Sequence, residues 1–385
     1  MMRIGWVMTP LAWGQEHLRV ETYNVGLAHG FVDAAEARTP ALVDALSTER
    51  VDVLCLQEVW RDDDRARFED ALSPAYPSSW ALPVTQKRAD RSPACRRKEL
   101  FGADRFVSCL TGDCEGLKGD ALTTCVVDQC GPILRDLRDD NPQCANAIMA
   151  QVGKPAWKGL WTVIRPIRKA NVYAYEGSDG LMIFSQRPLD NAGEVDFTDI
   201  ATLNRRRALF ADVTLSEETV RIYCTHLSAN LDQTAPYPGP FESWEEENLH
   251  QALRLIEHAQ DFDGPVIIAG DFNTGPAGPG LTEELPRSHA ALVAARLMDP
   301  AQDVGECTFC ADNDLTSDQT SDKLIDHIYI RELSAANGAR TRDEAITLAD
   351  GSQTHLSDHF GYAVTITLPT EPPPQEEAPT PETQE

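Results

Sequence analysis

No stretch of this chain approaches the roughly 18 continuous apolar residues that a membrane-spanning helix needs, so a bilayer-embedded helical protein is excluded. Positive charge is scarce. Thirty-four Lys and Arg face 61 Asp and Glu among 385 residues, a formal net charge of −27. Such a balance keeps a protein soluble and repels polyanions at range. It leaves phosphate substrates open, because a bound divalent cation inverts the local field. Internal repeats are absent, which excludes solenoids and propellers. Paired C-x-x-C motifs are absent too; Cys307-Thr-Phe-Cys310 alone supplies half of one, which makes a zinc site the weaker reading of the cysteines.

Cysteine itself is plentiful, with ten in all. Cys95, Cys109, Cys114, Cys125, Cys130 and Cys144 share one polar segment. Together with Cys307 and Cys310 they predict disulfides and an oxidising compartment, secreted or periplasmic; the pairing cannot be deduced from spacing. Cys55 and Cys224 lie inside apolar runs, "VDVLCLQ" and "VRIYCTHL", and are read as buried free thiols. Residues 1–17 carry Arg3 and a short apolar run, read as a leader or extension. Residues 369–385, "PTEPPPQEEAPTPETQE", lack the apolar content for a core and read as a disordered tail.

Between these ends, apolar runs alternate with helical patterns, the signature of an α/β protein. The runs "LRVETYN", "VDVLCLQEVW", "GLMIFSQ", "RRALFADVTL", "VRIYCTHL", "PVIIAGD", "LIDHIYI" and "GYAVTITL" read as strands. Thr39 and Pro40 mark a helix start, and Ser243 with Glu246 forms a capping-box pattern ahead of another helix. Residues 86–170 interrupt the rhythm and hold the cysteine cluster, an insertion that the chemistry does not need. Two basic clusters stand out, "QKRADRSPACRRK" at 86–98 and Arg205-Arg206-Arg207.

Polar residues recur where the apolar strands stop. Asn24 ends "VETYN", Glu58 follows "LCLQ", His226 follows "IYCT", and Asp271 and Asn273 follow "VIIAG". Asp326-His327 falls within "LIDHIYI", and Ser357-Asp358-His359 precedes the last strand. One such residue is an ordinary cap or Asx turn. Several at once fit a ligand site at one end of the strands. The D-x-N spacing of Asp271 and Asn273 puts both side chains on one side of an extended segment.

The series "ETYNVGL", "LCLQEVW", "CTHLSA", "IIAGDFN", "LIDHIYI" and "HLSDHFGYAV" resembles the endonuclease/exonuclease/phosphatase superfamily, the deoxyribonuclease-I-like fold, over residues 18–368. The resemblance implies a four-layer α/β sandwich, two mixed sheets face to face with helices outside. It implies a monomeric metal-dependent phosphodiesterase in which Glu58 and Asn24 hold Mg²⁺, with Mn²⁺ or Ca²⁺ able to stand in. His359 is then the general base, oriented by Asp326. Asp271 and Asn273 hold the attacking water and a phosphate oxygen, and His226 assists the phosphate or leaving group. Asp358 supports the metal or the base. His327 and His355 neighbour the motifs without matching them and are taken as structural. Gly26 stands where many relatives carry Asp or Tyr, which puts a second metal position in doubt. The motif wording is nearest the neutral sphingomyelinase branch, with phosphocholine release and peripheral membrane contact; Trp60 and Trp244 are candidates to face a quaternary ammonium. The basic clusters speak instead for a secreted nuclease gripping backbone phosphates. A phosphomonoesterase and a non-catalytic binding module are the remaining readings.

Overall fold

A computed structural model of the chain describes residues 16–369 apart from 152–153, 233–236, 238 and 317–319. The expected leader and tail therefore lie outside the described residues, save for Glu16, His17 and Pro369 at their edges.

Two sheets carry the fold. One holds β1 (His17–Asn24), β2 (Val53–Gln57), β3 (Ser78–Trp80), β4 (Met182–Ser185), β10 (Ser334–Thr341) and β13 (Gly361–Thr367), in the order β10-β13-β1-β2-β4-β3. The other holds β5 (Asp190–Asp196), β6 (Arg207–Leu215), β7 (Glu218–His226), β8 (Val266–Asp271) and β9 (Asp326–Arg331) in sequential order. A minor pair, β11 (Ile346–Thr347) and β12 (Gln353–Thr354), stands apart. The mixed four-layer sandwich expected from sequence is what the chain forms.

Alternation along the strands explains the layers. In β2, Val53 and Cys55 point to the second sheet, while Leu54 and Leu56 point outward to helices α1 (Ala35–Thr48) and α2 (Asp62–Leu72). In β7, Ile222 and Cys224 face inward, whereas Tyr223 joins Ile268 of β8 beneath helix α8 (Trp244–Gln260) and helix α9 (Pro286–Ala294). Strands buried on both faces read as unbroken apolar runs, which is why they were visible in the sequence.

Among the described residues two strand pairs, β1 with β2 and β7 with β8, are parallel. A parallel pair needs a crossover; α1 and α8 supply it. Both pairs thereby deliver two strand ends to the same rim, Asn24 beside Gln57 and His226 beside Asp271. This topology makes the site.

The helix expected to start at Thr39-Pro40 starts instead at Ala35, with Pro40 in its second turn. Tertiary contacts hold that early turn. Buried Arg38 donates to the carbonyls of Asp33, Gly26 and Leu356, an anchor stronger than the local start signal.

All ten cysteines are paired, which removes the zinc alternative. Cys55–Cys224 overturns the free-thiol reading. Each residue looked like an ordinary apolar member of its own strand, and only the face-to-face packing brings β2 and β7 together. The insertion between β3 and β4 holds Cys95–Cys144, Cys109–Cys130 and Cys114–Cys125. They staple helices α3 (Arg97–Leu100), α4 (Phe106–Gly112), α5 (Gly119–Asp140), α6 (Pro142–Met149) and α7 (Ala156–Ile164) around a separate core of Leu100, Phe106, Leu134, Leu137 and Val163. Cys307–Cys310 closes a small loop after helix α10 (Ala301–Val304). No helix among the described residues is long and apolar enough to cross a membrane.

Candidate active site

The strand-end residues meet at the shared rim. Asp271 is the hub. Its Oδ2 accepts from Asn24 Nδ2 at 2.9 Å, and lies 3.3 Å from His226 Nε2 and 3.9 Å from His359 Nε2. Asp326, opposite Asp271 in the β8–β9 register, accepts from His359 Nδ1 at 2.8 Å. That bond leaves Nε2 facing the hub. Asn24, His226, Asp271 and Asp326 are all essentially inaccessible.

Asn273 departs from the expected geometry. Its backbone is left-handed, φ 50°, so D-x-N is an Asx turn and not an extended segment. Asp271 Oδ1 accepts from Asn273 N at 2.9 Å, and Asn273 Nδ2 donates to Leu227 O at 3.1 Å. Its Oδ1 and the second Nδ2 hydrogen are left for another partner. Glu58 is also left-handed, φ 65°, and a non-glycine residue held there costs about 1–3 kcal/mol. The bend turns Glu58 out of β2 toward the rim.

Gly26 now has a physical reason. Its φ is +55°, and a Cβ would lie 2.3 Å from Asp358 Oδ1 and 2.6 Å from Ser357 Oγ. Asp358 occupies the space that a side chain at position 26 would take. Ser357 Oγ donates to Asn24 O at 2.7 Å, tying the two loops together.

Charge is strongly frustrated here. Burial, then the neighbouring Asp358, pushes Glu58 up to about 7. Burial, then Asp326, pushes Asp271 up to about 6. Burial opposes charge on His359, but Asp326 and Asp271 outweigh it and hold the imidazole well above its ordinary range. His226 is driven well below by burial and then by Arg206, so it is neutral at pH 7. Glu58 forms no hydrogen bond among the described residues, and Asn24 Oδ1 accepts only from Gly26 N at 3.0 Å. A free carboxylate pressed against a second one, beside an amide oxygen with a spare lone pair, is a donor set that fits a hard divalent cation. Asp271, Asp326 and His359 likewise offer ligand atoms within 4.8 Å of one another.

Sequence reasoning missed several members. Arg205 and Arg207 are committed elsewhere, Arg205 to Thr85 O and Thr198 Oγ1, Arg207 to Asp179 and Glu194. Buried Arg206 points into the site, where its charge is felt by Glu58 and Asp271; its Nη1 has no hydrogen-bond partner. The disulfide loop at 307–310 supplies Thr308, whose Oγ1 accepts from the backbone N–H of Asp326 at 3.1 Å, and Phe309, whose ring lies 5.0 Å from His359. On α8, Asn248 Nδ2 donates to Ser228 O and Phe272 O, bracing the loops that follow His226 and Asp271. No local spacing signals these, because each acts across a long sequence gap.

The other candidates separate. Trp60 stands 5.9 Å from the His226 ring, but Tyr175 stacks on it and Arg206 lies over it, so its faces are not open to an ammonium. Trp244 is buried against Tyr237. Burial overturns both as open aromatic faces. His327 is locked between Asp299 Oδ2 and Thr274 O, each at 2.9 Å, and His355 is bonded to Asp314.

A sequence profile of the Endonuclease/Exonuclease/phosphatase family matches residues 22–359. The chain belongs to this family, whose members are generally phosphoester hydrolases dependent on divalent metals. No curated protein sequence matches it. Among solved structures it is similar to an endonuclease/exonuclease/phosphatase from Beutenbergia cavernae DSM 12333 (17% identity, 92% of this chain and 72% of that one, TM-score 0.50). It is also similar to sphingomyelinase C from Streptomyces griseocarneus (14%, 91% and 99%, 0.51) and to D. rerio TDP2 complexed with single-strand DNA product (15%, 91% and 99%, 0.50). At these identities the likeness speaks for the fold alone.

Proposed function

We propose that this protein is a secreted, Mg²⁺-dependent phosphodiesterase acting on a choline phospholipid. The observation that carries the reading is the Asp326–His359 pair aimed at Asp271, with the Glu58 carboxylate and Arg206, whose Nη1 has no hydrogen-bond partner, close by.

The chemistry follows from what each group can do. Glu58 and Asn24 are suited to hold the cation, which supplies Lewis-acid stabilisation of several kcal/mol at the phosphate. Asp326 fixes the tautomer of His359, so Nε2 is the atom that takes the proton of the attacking water. Asp271 receives Asn24 on one side and keeps the two histidines apart. Arg206 offers its unpaired N–H to a non-bridging phosphate oxygen, an interaction strengthened by the dry surroundings. Neutral His226 can donate a hydrogen bond, not a proton, to the departing oxygen as the P–O bond breaks; the leaving oxygen takes its proton from solvent or from the imidazolium formed on His359.

The lipid reading is favoured over the nuclease by the fate of the basic clusters. Arg205 and Arg207 are internally paired, and Arg88, Arg91 and Lys87 are bonded to local carbonyls. Arg205 and Arg207 therefore offer no free strip along which a polyphosphate backbone could run, while Arg96, Arg97 and Lys98 of the other cluster stay exposed. Side-by-side Mg²⁺ assays on sphingomyelin vesicles, plasmid DNA and bis(p-nitrophenyl) phosphate test this. We expect turnover of the vesicles and the small diester, abolished by a chelator. DNA cleavage that outpaces lipid hydrolysis overturns the substrate class; inertness toward all three overturns the hydrolase.

A further inference from the structure

Residues 141–175 contain no Asp or Glu, in a chain that has 61 of them. The same stretch carries Lys154, Lys158, Arg165, Arg168 and Lys169. Helix α7 occupies its centre. Its Leu160, Val163 and Ile164 pack into the insertion's core, yet Trp157 is 68% exposed, Trp161, one turn on, is 54% exposed, and Ile167 just beyond is 78% exposed. A soluble surface rarely leaves three such side chains together. Beside Trp161 lies a groove of about 270 Å³ lined by Arg88, Lys154, Arg165, Arg168 and Lys169, with Glu176 its acidic member. Glu176 is paired with Lys154 at 2.9 Å, and Arg165 Nε is buried without a hydrogen-bond partner. Lys154 and Glu176 also line a second cavity of about 390 Å³ that reaches Trp60 and Tyr175, next to His226. The basic, aromatic face therefore adjoins a cavity that ends at Trp60, the residue beside His226.

We propose that α7 and the loop through Lys169 dock on an anionic phospholipid bilayer. Trp157, Trp161 and Ile167 enter the interfacial region, where indole rings partition well. Lys158, Arg165, Arg168 and Lys169 meet lipid phosphates; the lack of carboxylates along 141–175, with Glu176 paired to Lys154, lowers the repulsion that the chain's net charge imposes elsewhere. An aliphatic side chain as exposed as Ile167 gains from hydrocarbon and cannot stack on a base, which favours a membrane over a nucleic acid. The proposal deepens the lipid reading above by naming how the enzyme reaches its substrate.

The test keeps the two apart. The full chain is mixed, in chelator so that hydrolysis is off, with vesicles of phosphatidylcholine alone or with one-third phosphatidylglycerol, and binding is read by sedimentation and tryptophan fluorescence. Wild type binds the anionic vesicles with a blue shift. Trp157→Ala with Trp161→Ala lowers partitioning by about tenfold or more, and Lys158→Glu with Arg168→Glu and Lys169→Glu removes the preference for anionic lipid. Both variants keep the wild-type rate on bis(p-nitrophenyl) phosphate with Mg²⁺. Docking is overturned if wild type binds neither vesicle, if the variants bind as wild type does, or if they lose affinity for a DNA oligonucleotide and not for vesicles. A wild type that docks but hydrolyses no phospholipid supports the surface and overturns only the substrate reading.

Discussion

His359→Asn is expected to lower kcat on a phosphodiester by about 10²- to 10⁴-fold with the fold intact by circular dichroism. Asparagine is the informative replacement. Its amide nitrogen falls near the ring Nδ1 and can still donate to Asp326, so the buried carboxylate keeps a partner, while the Nε2 facing Asp271 is gone. Alanine would leave Asp326 uncompensated and mix a stability loss of several kcal/mol with the catalytic one. The pH dependence has a definite sign. As a base, His359 must be deprotonated, and Asp326 and Asp271 hold its pKa above the ordinary histidine range against the pull of burial. Activity should therefore fall on the acid side as pH drops through that raised value. Asp326→Asn removes the chief support, so the acid limb moves to lower pH. An acid limb that stays put in Asp326→Asn, with full activity in His359→Asn, removes His359 from the base role.

The second large effect concerns the fold. Cys55→Ala with Cys224→Ala should lower unfolding free energy by about 4 to 5 kcal/mol, measured by urea denaturation. The bond spans 169 residues and joins the two sheets at the centre of their shared core. It limits the separation of the two layers in the unfolded chain, and long loops gain most from such closure. The three bonds of the insertion close loops of 49, 21 and 11 residues and stay within one module, so opening them should cost the sandwich little. A double variant as stable as wild type would show that the sheets need no covalent tie.

Why the sequence revealed what it did follows from the same geometry. β7 and β8 are buried on both faces, so their apolar runs end abruptly, and the polar residue at each end stands out. His226 and Asp271 were conspicuous for that reason, as were Asn24 and Glu58. What spacing could not display were contacts made across sheets and loops. Cys55 and Cys224 each resemble a core residue until β2 faces β7. Arg206 is indistinguishable from Arg205 and Arg207 until their partners separate them. Thr308 and Asn248 act on Asp326 and on the strand-end loops from remote segments. Local signals also lost to tertiary ones, as when Arg38 drew the start of α1 ahead of Pro40, and when Asn273 took a left-handed turn in place of an extended one.

If Glu58 and its neighbours form one cation site that the chemistry requires, removing the Glu58 carboxylate weakens ion binding and the rate together. Titration of Mn²⁺ into wild type and Glu58→Gln by calorimetry, alongside their rates on bis(p-nitrophenyl) phosphate, tests it most directly. One binding event is expected in wild type, weakened by about tenfold or more in Glu58→Gln, with the rate falling in step. Equal metal affinity in the two proteins, or an undiminished wild-type rate in excess chelator, contradicts it.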